Sequence, residues 1–237
     1  MTRPAPFDWF ASDPALVARA EPFIRANLPL TEVPGTGVRL HLARPDSGLS
    51  RLVGDGPPPY WAQAWPGGVA LARHLHDHPG AIEASRTWEI GAGSGLASLA
   101  AAGARGLGGT LIDADPLALV AARLNAAANG VRGLTTVLVP PGEDPTGLGL
   151  ANSLVGTPTI LAGDVFYEER LARGVAAWFD RHGPQATILV GDIGRRWLPR
   201  ERLEPLASYP VRDVGDPPGA PLREGWVFRW VARASAR

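Results

Sequence analysis

The sequence predicts an α/β fold with a mostly parallel sheet and helices on both faces. From Arg86 onward, short apolar segments typical of strands alternate with segments of helical periodicity, which is the pattern of a parallel sheet covered by helices. A glycine-rich turn from Gly91 to Gly95 follows the first of these strands. The last two strand-like segments have no helix between them, so they predict a hairpin that puts an antiparallel strand into the sheet.

The predicted strands are short segments rich in aliphatic, aromatic and threonine residues. In chain order they are RTWEIG, GTLIDA, LTTVLV, TPTILAGD, ATILVGD, YPVRDV and EGWVFRWV. Helices are predicted from Gly95 to Ala102, closed by Gly103, and from Leu171 to His182. A further helix is predicted to begin after Asp115, which caps it, and to end before Gly130.

The chain ahead of these elements is predicted to form an N-terminal extension. Residues 1–57 make up this extension, and residues 58–237 the main domain. Within the extension, one helix is predicted from Pro14 to Asn27 and one strand in GVRLHLARP. In the main domain, Gly68 to His78 predicts a short helix before the first strand of the sheet.

The composition narrows the class of protein. There is no cysteine, which excludes disulfides and thiolate metal sites. The formal net charge is zero, so the totals indicate neither a nucleic acid nor a membrane as partner. The N-terminus lacks a signal-peptide pattern, and no apolar run approaches the ~20 residues of a membrane span. We expect a cytoplasmic protein; the sequence gives no indication of its oligomeric state.

The glycine-rich turn is a candidate ligand loop. Glu89, Gly91, Gly93 and Gly95 recur at two-residue spacing between a strand and a helix. Glycines let a ligand approach the backbone, and a helix N-terminus offers unpaired N–H groups. A dinucleotide fold would have G-x-G-x-x-G, but Leu96 stands at the third glycine position, which disfavours a nicotinamide cofactor. The acidic residue followed by G-x-G-x-G instead resembles motif I of class I S-adenosylmethionine-dependent methyltransferases.

A carboxylate at the end of the next strand supports a donor site. In IDADP, Asp113 holds the position at which this superfamily binds the ribose hydroxyls, and Asp115 is interpreted as the helix cap. The helix that follows ends in NAAANG, which is also similar to the superfamily. Two alternatives remain at this stage: a strand-to-helix turn that binds no ligand, and a nicotinamide site.

The segment ILAGDVFYEERL is a candidate acceptor site. It ends a predicted strand with Asp164 and continues with Phe166 and Tyr167. Ligands of open α/β sheets bind outside such strand ends. Aromatic walls lower the pKa of an amine by desolvation, whereas a carboxylate raises it. We therefore predict that Asp164 docks and orients an amine and that Tyr167 hydrogen-bonds it or lines its channel. The alternative is that Asp164 caps the next helix while both aromatic residues are core.

The aromatic run PPYWAQAWPGG precedes the glycine-rich turn. We predict that it forms a wall over the donor, because aromatic faces attract a sulfonium by cation–π interaction. Trp65 is predicted to contact the donor and Trp61 to pack in the core. Gly67 and Gly68 are predicted to let the next helix begin close to the ligand.

Several separated segments together resemble the electron-transfer flavoprotein beta-subunit lysine methyltransferases and their bacterial relatives. They are PYWAQAWPGGVALARHL, WEIGAGSG, IDADP, GDVFYEERL and VGDIGR, with FIRANLPLTEVPGTGVRLHLARP similar to the family's leader. The resemblance implies a seven-stranded, Rossmann-like class I methyltransferase sheet with its last strand antiparallel. It also implies S-adenosylmethionine as donor, S-adenosylhomocysteine as product, and lysines of a flavoprotein beta subunit or ribosomal protein as acceptors. Ile193 departs from the family's Gly-Asp-Pro-Gly-Arg element.

The resulting prediction is a protein-lysine N-methyltransferase. Its predicted catalytic residues are Asp164 and Tyr167, and its predicted cofactor-binding residues are Trp65, Glu89, Gly91, Gly93, Gly95 and Asp113. Glu143 or Asp144 is a candidate for the adenine edge. No metal is predicted, although His74 and His78 share a helix face. The alternatives are a small-molecule N-methyltransferase and a donor-binding interaction protein without turnover.

Overall fold

The structure is a computed structural model that describes residues 14–139 and 159–232, apart from residues 55, 57, 85 and 218. In this part of the chain, a seven-stranded mixed sheet is flanked by helices, and a separate two-stranded hairpin lies near the N-terminus. The predicted fold class is therefore confirmed. None of the helices in the described ranges is both long and apolar enough to cross a bilayer.

The regular elements are numbered in chain order. The helices are α1 (Pro14–Asn27), α2 (Ser50–Val53), α3 (Pro66–Asp77), α4 (Leu96–Arg105), α5 (Pro116–Ala128) and α6 (Glu169–His182). The strands are β1 (Leu30–Val33), β2 (Val38–His41), β3 (Arg86–Ile90), β4 (Gly108–Asp113), β5 (Leu134–Leu138), β6 (Thr159–Gly163), β7 (Thr187–Asp192), β8 (Leu203–Val211) and β9 (Arg223–Trp230).

The strand order of the main sheet is β5-β4-β3-β6-β7-β9-β8. Neighbours from β5 to β7 are parallel, whereas β9 is antiparallel to both β7 and β8. The predicted terminal hairpin is therefore confirmed. The chain leaves β3 toward β5 and returns to pair β6 with β3, so the strand order reverses between these two strands. In open α/β sheets, ligands bind outside the carboxyl ends of the strands at this point.

The sheet separates two layers of helices. Leu161 and Leu189 belong to a buried cluster with residues of α3 and α4. Their sequence neighbours Ile160 and Ile188 belong to a different cluster that includes α6. This division follows from the strand backbone, which points successive side chains to opposite faces. Both faces of the central strands are therefore buried, as their continuous apolar sequences require.

The predicted helices are present, but α3 and α6 each begin two residues before the predicted Gly68 and Leu171, and α4 ends later than predicted. Gly103 was predicted to close this helix, but it lies inside it, and the helix continues to Arg105. Gly106 ends α4 in the left-handed conformation, with φ 68°, and its N–H donates to the Ala102 carbonyl. A glycine inside a helix costs about 1 kcal/mol relative to alanine. The apolar face of α4 is almost entirely buried, and this packing offsets that cost.

The N-terminal hairpin is attached to α5 by two asparagines of the NAAANG segment. The Asn125 side chain accepts a hydrogen bond from the His41 N–H at 2.8 Å, and the Asn129 side chain accepts one from the Arg39 N–H at 2.9 Å. Asn125 also donates to the carbonyl of Ser94, inside the glycine-rich turn, at 3.0 Å. The hairpin is thus tied to α5 and, through Asn125, to the turn. The predicted boundary at residue 57 stays a prediction.

Candidate functional site

The candidate residues converge on the carboxyl edge of the sheet. The glycine-rich turn follows β3, Asp113 ends β4 and Asp164 follows β6. Because these three strands are adjacent and parallel, their ends meet where the strand order reverses. The structure therefore brings the predicted donor and acceptor residues to one edge.

The glycines of the turn have distinct surroundings. Gly91, Gly93 and Gly95 all have positive φ, at 63°, 50° and 82°, a region that residues with a Cβ rarely adopt. Gly91 is exposed, whereas Gly95 is buried. A Cβ on Gly95 would lie 3.4 Å from the Cβ of Ala122 on α5. A Cβ on Gly91 would be closer still to its neighbour, at 3.2 Å from Cγ1 of Val165. Backbone conformation therefore favours glycine at both positions, and Gly91 is the one whose backbone is exposed at the strand end.

Glu89 connects β3 to the first turn of α4. Its carboxylate accepts hydrogen bonds from the backbone N–H groups of Ala97, at 3.2 Å, and Ser98, at 2.9 Å. Burial raises the pKa of Glu89 to about 7, and these hydrogen bonds oppose the shift. The contacts of Glu89 thus orient the helix and the turn before it.

Asp113 holds the glycine-rich turn from the neighbouring strand. Its two oxygens accept hydrogen bonds from the Gly93 N–H, at 2.7 Å, and the Asp115 N–H, at 2.9 Å. Burial raises the pKa of Asp113 to about 6. A carboxylate oxygen can accept two hydrogen bonds, so Asp113 keeps acceptor capacity for hydroxyl groups of a ligand. Asp115 caps α5 as predicted, accepting from the Leu117 N–H at 2.8 Å.

Trp61 lies beneath the turn. Its side chain is buried in a cluster that includes Ala92 and Leu117, and its Cα is 3.7 Å from where a Cβ on Gly93 would stand. The indole N–H of Trp61 has no hydrogen-bond partner among the described residues. Buried N–H groups without a partner are rare in native proteins, and the indole N–H of Trp178 is unpartnered in the same way within the described residues.

Asp164 adopts a conformation unusual for its residue type. Its φ is 53°, and it is the one non-glycine residue with positive φ in the described part of the chain. The side chain is 7% exposed, and its Oδ2 accepts a hydrogen bond from the Gly68 N–H at 2.9 Å. The alternative that Asp164 caps the next helix is wrong, because Glu168 caps α6. Asp164 instead binds the first turn of α3, which precedes it by about a hundred residues.

The Trp-Pro-Gly-Gly run is explained by this contact. A Cβ on Gly67 would lie 2.6 Å from Asp164 Oδ2 and would overlap the carbonyl oxygen of Gly191. A Cβ on Gly163 would lie 2.7 Å from the Cα of Gly68. The first turn of α3 therefore sits directly on the ends of β6 and β7, closer than any residue with a side chain allows.

Arg195 is a site residue that the sequence analysis did not single out. Its Nη2 and Nε lie 3.2 and 3.4 Å from Asp164 Oδ1, and its Nη2 lies 3.6 Å from an oxygen of Asp213. The centre of the guanidinium is 5.7 Å from the ring centroid of Trp65. The signal was present in VGDIGR, which begins inside β7, the strand beside β6, and continues past its carboxyl end.

A second buried carboxylate supports this arrangement. Asp192 is fully buried, and its Oδ1 accepts from the N–H groups of Gly194 and Arg195, both at 2.7 Å. Its Oδ2 has no partner within the described ranges. Burial, and then the charge of Asp192, raise the pKa of Asp164 to about 6, whereas the Gly68 N–H and Arg195 oppose the shift.

Aromatic side chains form the rim of this carboxylate cluster. Tyr60 and Tyr167 are each about half exposed, with ring centroids 6.0 Å apart. The Trp65 indole donates to the Tyr60 carbonyl at 2.7 Å. Its ring lies beside Arg195, the partner of Asp164, which places Trp65 on the Asp164 side of the site. Phe166 is fully buried and stacks on Trp230 in the core. Of the two aromatics after Asp164, Tyr167 therefore borders the site and Phe166 does not.

The remaining candidates are two acidic residues and a pair of histidines. Glu143 and Asp144 lie outside the described residues. The rings of His74 and His78 lie 4.8 Å apart, and His74 contacts the Tyr209 hydroxyl at 3.1 Å. Among the described residues, no group of three potential ligands surrounds a position for a metal ion.

Comparison with characterised proteins places the chain in a family. It is 33% identical over 190 residues to the electron transfer flavoprotein beta subunit lysine methyltransferase of Danio rerio, covering 73% of this chain and 67% of that protein. The homolog from Caenorhabditis elegans is 30% identical, covering 84% and 85%. This chain belongs to the electron transfer flavoprotein beta subunit lysine methyltransferase family. The Xenopus laevis member is 34% identical, and the alignment spans 62% of its length. No family model matches the sequence.

Solved structures agree with the fold of this methyltransferase. The METTL16 methyltransferase domain superposes with a TM-score of 0.52 at 13% identity, covering 96% of each chain. The N-terminal domain of human METTL16, solved with S-adenosylhomocysteine, gives 0.52 at 11% identity and covers 97% of this chain. At such identities the likeness concerns the fold alone. Family and fold together make the protein an S-adenosylmethionine-dependent methyltransferase of class I.

Proposed function

We propose that the protein is a protein-lysine N-methyltransferase that acts on the electron transfer flavoprotein beta subunit. The observation that carries this proposal is the position of Asp164, a buried carboxylate at the strand end next to the glycine-rich turn. It pairs with Arg195 beside Trp65, and Tyr167 is joined to Trp65 through the ring of Tyr60. Such a site is suited to an alkylammonium group, which a carboxylate attracts and aromatic faces surround. Because the relatives are named for methylation of the electron transfer flavoprotein beta subunit, this subunit is the acceptor to test first.

The residues around the glycine-rich turn fit S-adenosylmethionine. Gly91 leaves backbone exposed at the end of β3, and Asp113 keeps acceptor capacity for the ribose hydroxyls. The unpartnered indole N–H of Trp61 offers a donor to a polar atom of the ligand. We therefore assign Gly91, Gly93 and Asp113 to the donor site, with Glu89 and Gly95 positioning the turn.

Trp61 and Trp65 have different neighbours, and these suit them to different sites. Trp65 was predicted to contact the donor, but its neighbours are Tyr60 and Arg195. Trp61 lies against the glycine-rich turn instead. We propose that Trp61 serves the donor site and that Trp65 forms one wall of the acceptor site.

The reaction requires a neutral amine at the acceptor site. Bound S-adenosylmethionine supplies an activated methyl group: after lysine has lost its proton to solvent, the neutral amine nitrogen bonds to the methyl carbon as the carbon–sulfur bond breaks, leaving S-adenosylhomocysteine and a methylammonium group. A free lysine has a pKa of about 10.4, so almost all of it is charged at neutral pH. Asp164 first attracts and orients this cation, and desolvation among Trp65 and Tyr167 then favours loss of its proton.

The surface beside the site supports a protein acceptor over a small molecule. Tyr60 and Tyr167 are half exposed, so the rim is accessible from solvent. A groove of about 670 Å³ begins beside the carboxylate cluster, at Ile193 and Gly194, and runs along the terminal hairpin past Trp226 and Phe228. An open groove of this kind can hold the chain on one side of a target lysine.

The test is transfer of a labelled methyl group from S-adenosylmethionine to purified electron transfer flavoprotein. We expect label on the beta subunit, at lysines located by mass spectrometry. Every one of the 23 basic residues of the enzyme is arginine, so self-labelling on lysine cannot obscure the result. The same assay with a cell lysate separates the alternatives. Label in a different discrete protein identifies another acceptor, including a ribosomal one, whereas label confined to small molecules contradicts the proposal.

A further inference from the structure

The acceptor site already contains a cation. The Arg195 guanidinium lies against Asp164 Oδ1, the oxygen that Gly68 does not occupy, and over the ring of Trp65. These are the groups to which we assign the lysine ammonium of the substrate. Arg195 therefore occupies the position that the acceptor needs.

The guanidinium of Arg195 makes longer polar contacts than the backbone N–H of the same residue. Its contacts with Asp164 and Asp213 span 3.2–3.6 Å, longer than the ~2.7–2.9 Å of strong charge-assisted hydrogen bonds. Its side chain is 23% exposed, so it has a path to solvent. The Arg195 N–H, in contrast, is fixed at 2.7 Å by the buried Asp192. The side chain can therefore leave while the loop stays in place.

We propose that Arg195 is a resident cation that closes the acceptor site, and that the substrate lysine binds by replacing its guanidinium on Asp164 and Trp65. This inference rests on the proposed lysine-acceptor function. A ligand that must displace a resident group binds only the molecules in which the site is open. Its apparent affinity is therefore its affinity for the open site multiplied by the fraction of molecules that are open. Free amines have no other contacts to offset this loss, whereas a protein acceptor gains contacts along the neighbouring surface. Arg195 thereby selects protein-bound lysine against small amines.

The direct test is cation binding to Arg195→Ala, measured by calorimetry with methylguanidinium and with the neutral isostere methylurea. We expect Arg195→Ala to bind methylguanidinium at least about tenfold more tightly than the wild type does, because the resident competitor is gone. Methylurea should bind neither protein. Arg195→Lys should resemble the wild type, since it keeps a cation. Arg196→Ala is the matched control, because Arg196 is exposed and stacks on Trp197 instead.

A second measurement uses turnover. Arg195→Gln should lower KM for the protein acceptor and should allow n-butylamine to be methylated, which the wild type should not do. The inference is overturned if Arg195→Ala and Arg195→Gln bind S-adenosylhomocysteine as the wild type does but show no gain in methylguanidinium binding. It is also overturned if KM rises, since Arg195 would then help to hold the lysine. The calorimetric result needs no methyl transfer, so it stands apart from any failure to label the flavoprotein.

Discussion

The carboxylate of Asp164 accepts a hydrogen bond from the backbone N–H of Gly68 at 2.9 Å, joining two segments 96 residues apart in sequence. The contact attaches the first turn of α3 to the end of β6. Burial disfavours the negative charge of Asp164, whereas the positive N-terminal end of α3 favours it. The ionised state of Asp164 therefore depends on its contact with the first turn of α3. The Trp-Pro-Gly-Gly and Gly-Asp-x-Phe-Tyr segments therefore build a single site.

Asp164→Asn is expected to reduce kcat/KM for the acceptor by about 100-fold or more, because the lysine loses the charge that orients it. Asparagine tolerates the left-handed backbone at this position and retains an oxygen for the Gly68 N–H. Steady-state kinetics and calorimetry with S-adenosylhomocysteine check this, with donor affinity expected to be unchanged. The exposed Asp46→Asn is the control for the same chemical change. Full turnover by Asp164→Asn would remove Asp164 from the acceptor role.

Gly67→Ala is expected to destabilise the protein by about 1–3 kcal/mol, the usual cost of forcing a methyl group into packed structure. The new Cβ would meet Asp164 Oδ2 at 2.6 Å as well as the carbonyl of Gly191. Gly103→Ala is the opposite control, since a Cβ there meets nothing within 4 Å inside α4. The Gly103→Ala substitution should raise the free energy of unfolding by about 0.5–1 kcal/mol. Urea unfolding of both variants measures the difference, and equal stability would contradict the close approach of α3.

Asp113→Asn is expected to weaken S-adenosylhomocysteine binding by about tenfold or more, because hydrogen bonds to a charged group are worth about 1.5–3 kcal/mol. Asp115→Asn, two residues further along, is the matched control. Asparagine caps a helix as well as aspartate does, so its donor affinity should equal that of the wild type. Calorimetric titration of both variants separates ligand contact from loop structure. Equal affinities would exclude Asp113 from the ribose site.

Glu89 should make stability depend on pH. Its folded-state pKa of about 7 lies above its ordinary value of 4.5, so the folded protein binds this proton more tightly than the unfolded chain does. The resulting stabilisation is complete below pH 4.5 and is lost as pH rises through about 7. As pH rises across this window, the free energy of unfolding of the wild type should therefore fall by about 3 kcal/mol relative to that of Glu89→Gln. Urea unfolding at several pH values measures the difference, with the exposed Glu83→Gln as control; a constant difference would contradict the burial effect.

Trp61→Phe and Trp65→Phe test the division between donor and acceptor sites. Loss of the Trp61 N–H should weaken S-adenosylhomocysteine binding about threefold to tenfold, the worth of one neutral hydrogen bond. Trp65→Phe should leave donor affinity unchanged and raise KM for the protein acceptor. The reverse pattern would restore the prediction that Trp65 contacts the donor.

The sequence predicts most of the architecture because local signals agree with the fold. Asp115 and Gly130 mark the limits of α5, and the missing helix before β9 marks the antiparallel strand. Gly103 misled the prediction of α4, because burial of the apolar face carries the helix past this glycine to the left-handed Gly106. The strand β1 was missed because Val33 is its one buried residue, whereas three of the four residues of β2 are buried.

The site could be predicted less completely than the fold. Residue types at strand ends identify Asp113 and Asp164, since the topology of a parallel sheet brings such positions together. The contact of Asp164 with Gly68 and Arg195 depends on the packing of α3 and of the loop after β7, and no short-range pattern encodes it. A motif therefore identifies a carboxylate, but the folded chain decides which groups set its charge.

Asn125 joins three parts of the molecule through one buried amide: the N-terminal hairpin at His41, the helix α5, and the glycine-rich turn at Ser94. Any ligand that fixes the turn therefore also favours the docked hairpin, and the docked hairpin favours the ligand to the same extent, because coupling between binding equilibria is reciprocal. The free energy of donor binding is in this way shared with the N-terminal hairpin, a segment to which neither a donor nor an acceptor role is assigned above.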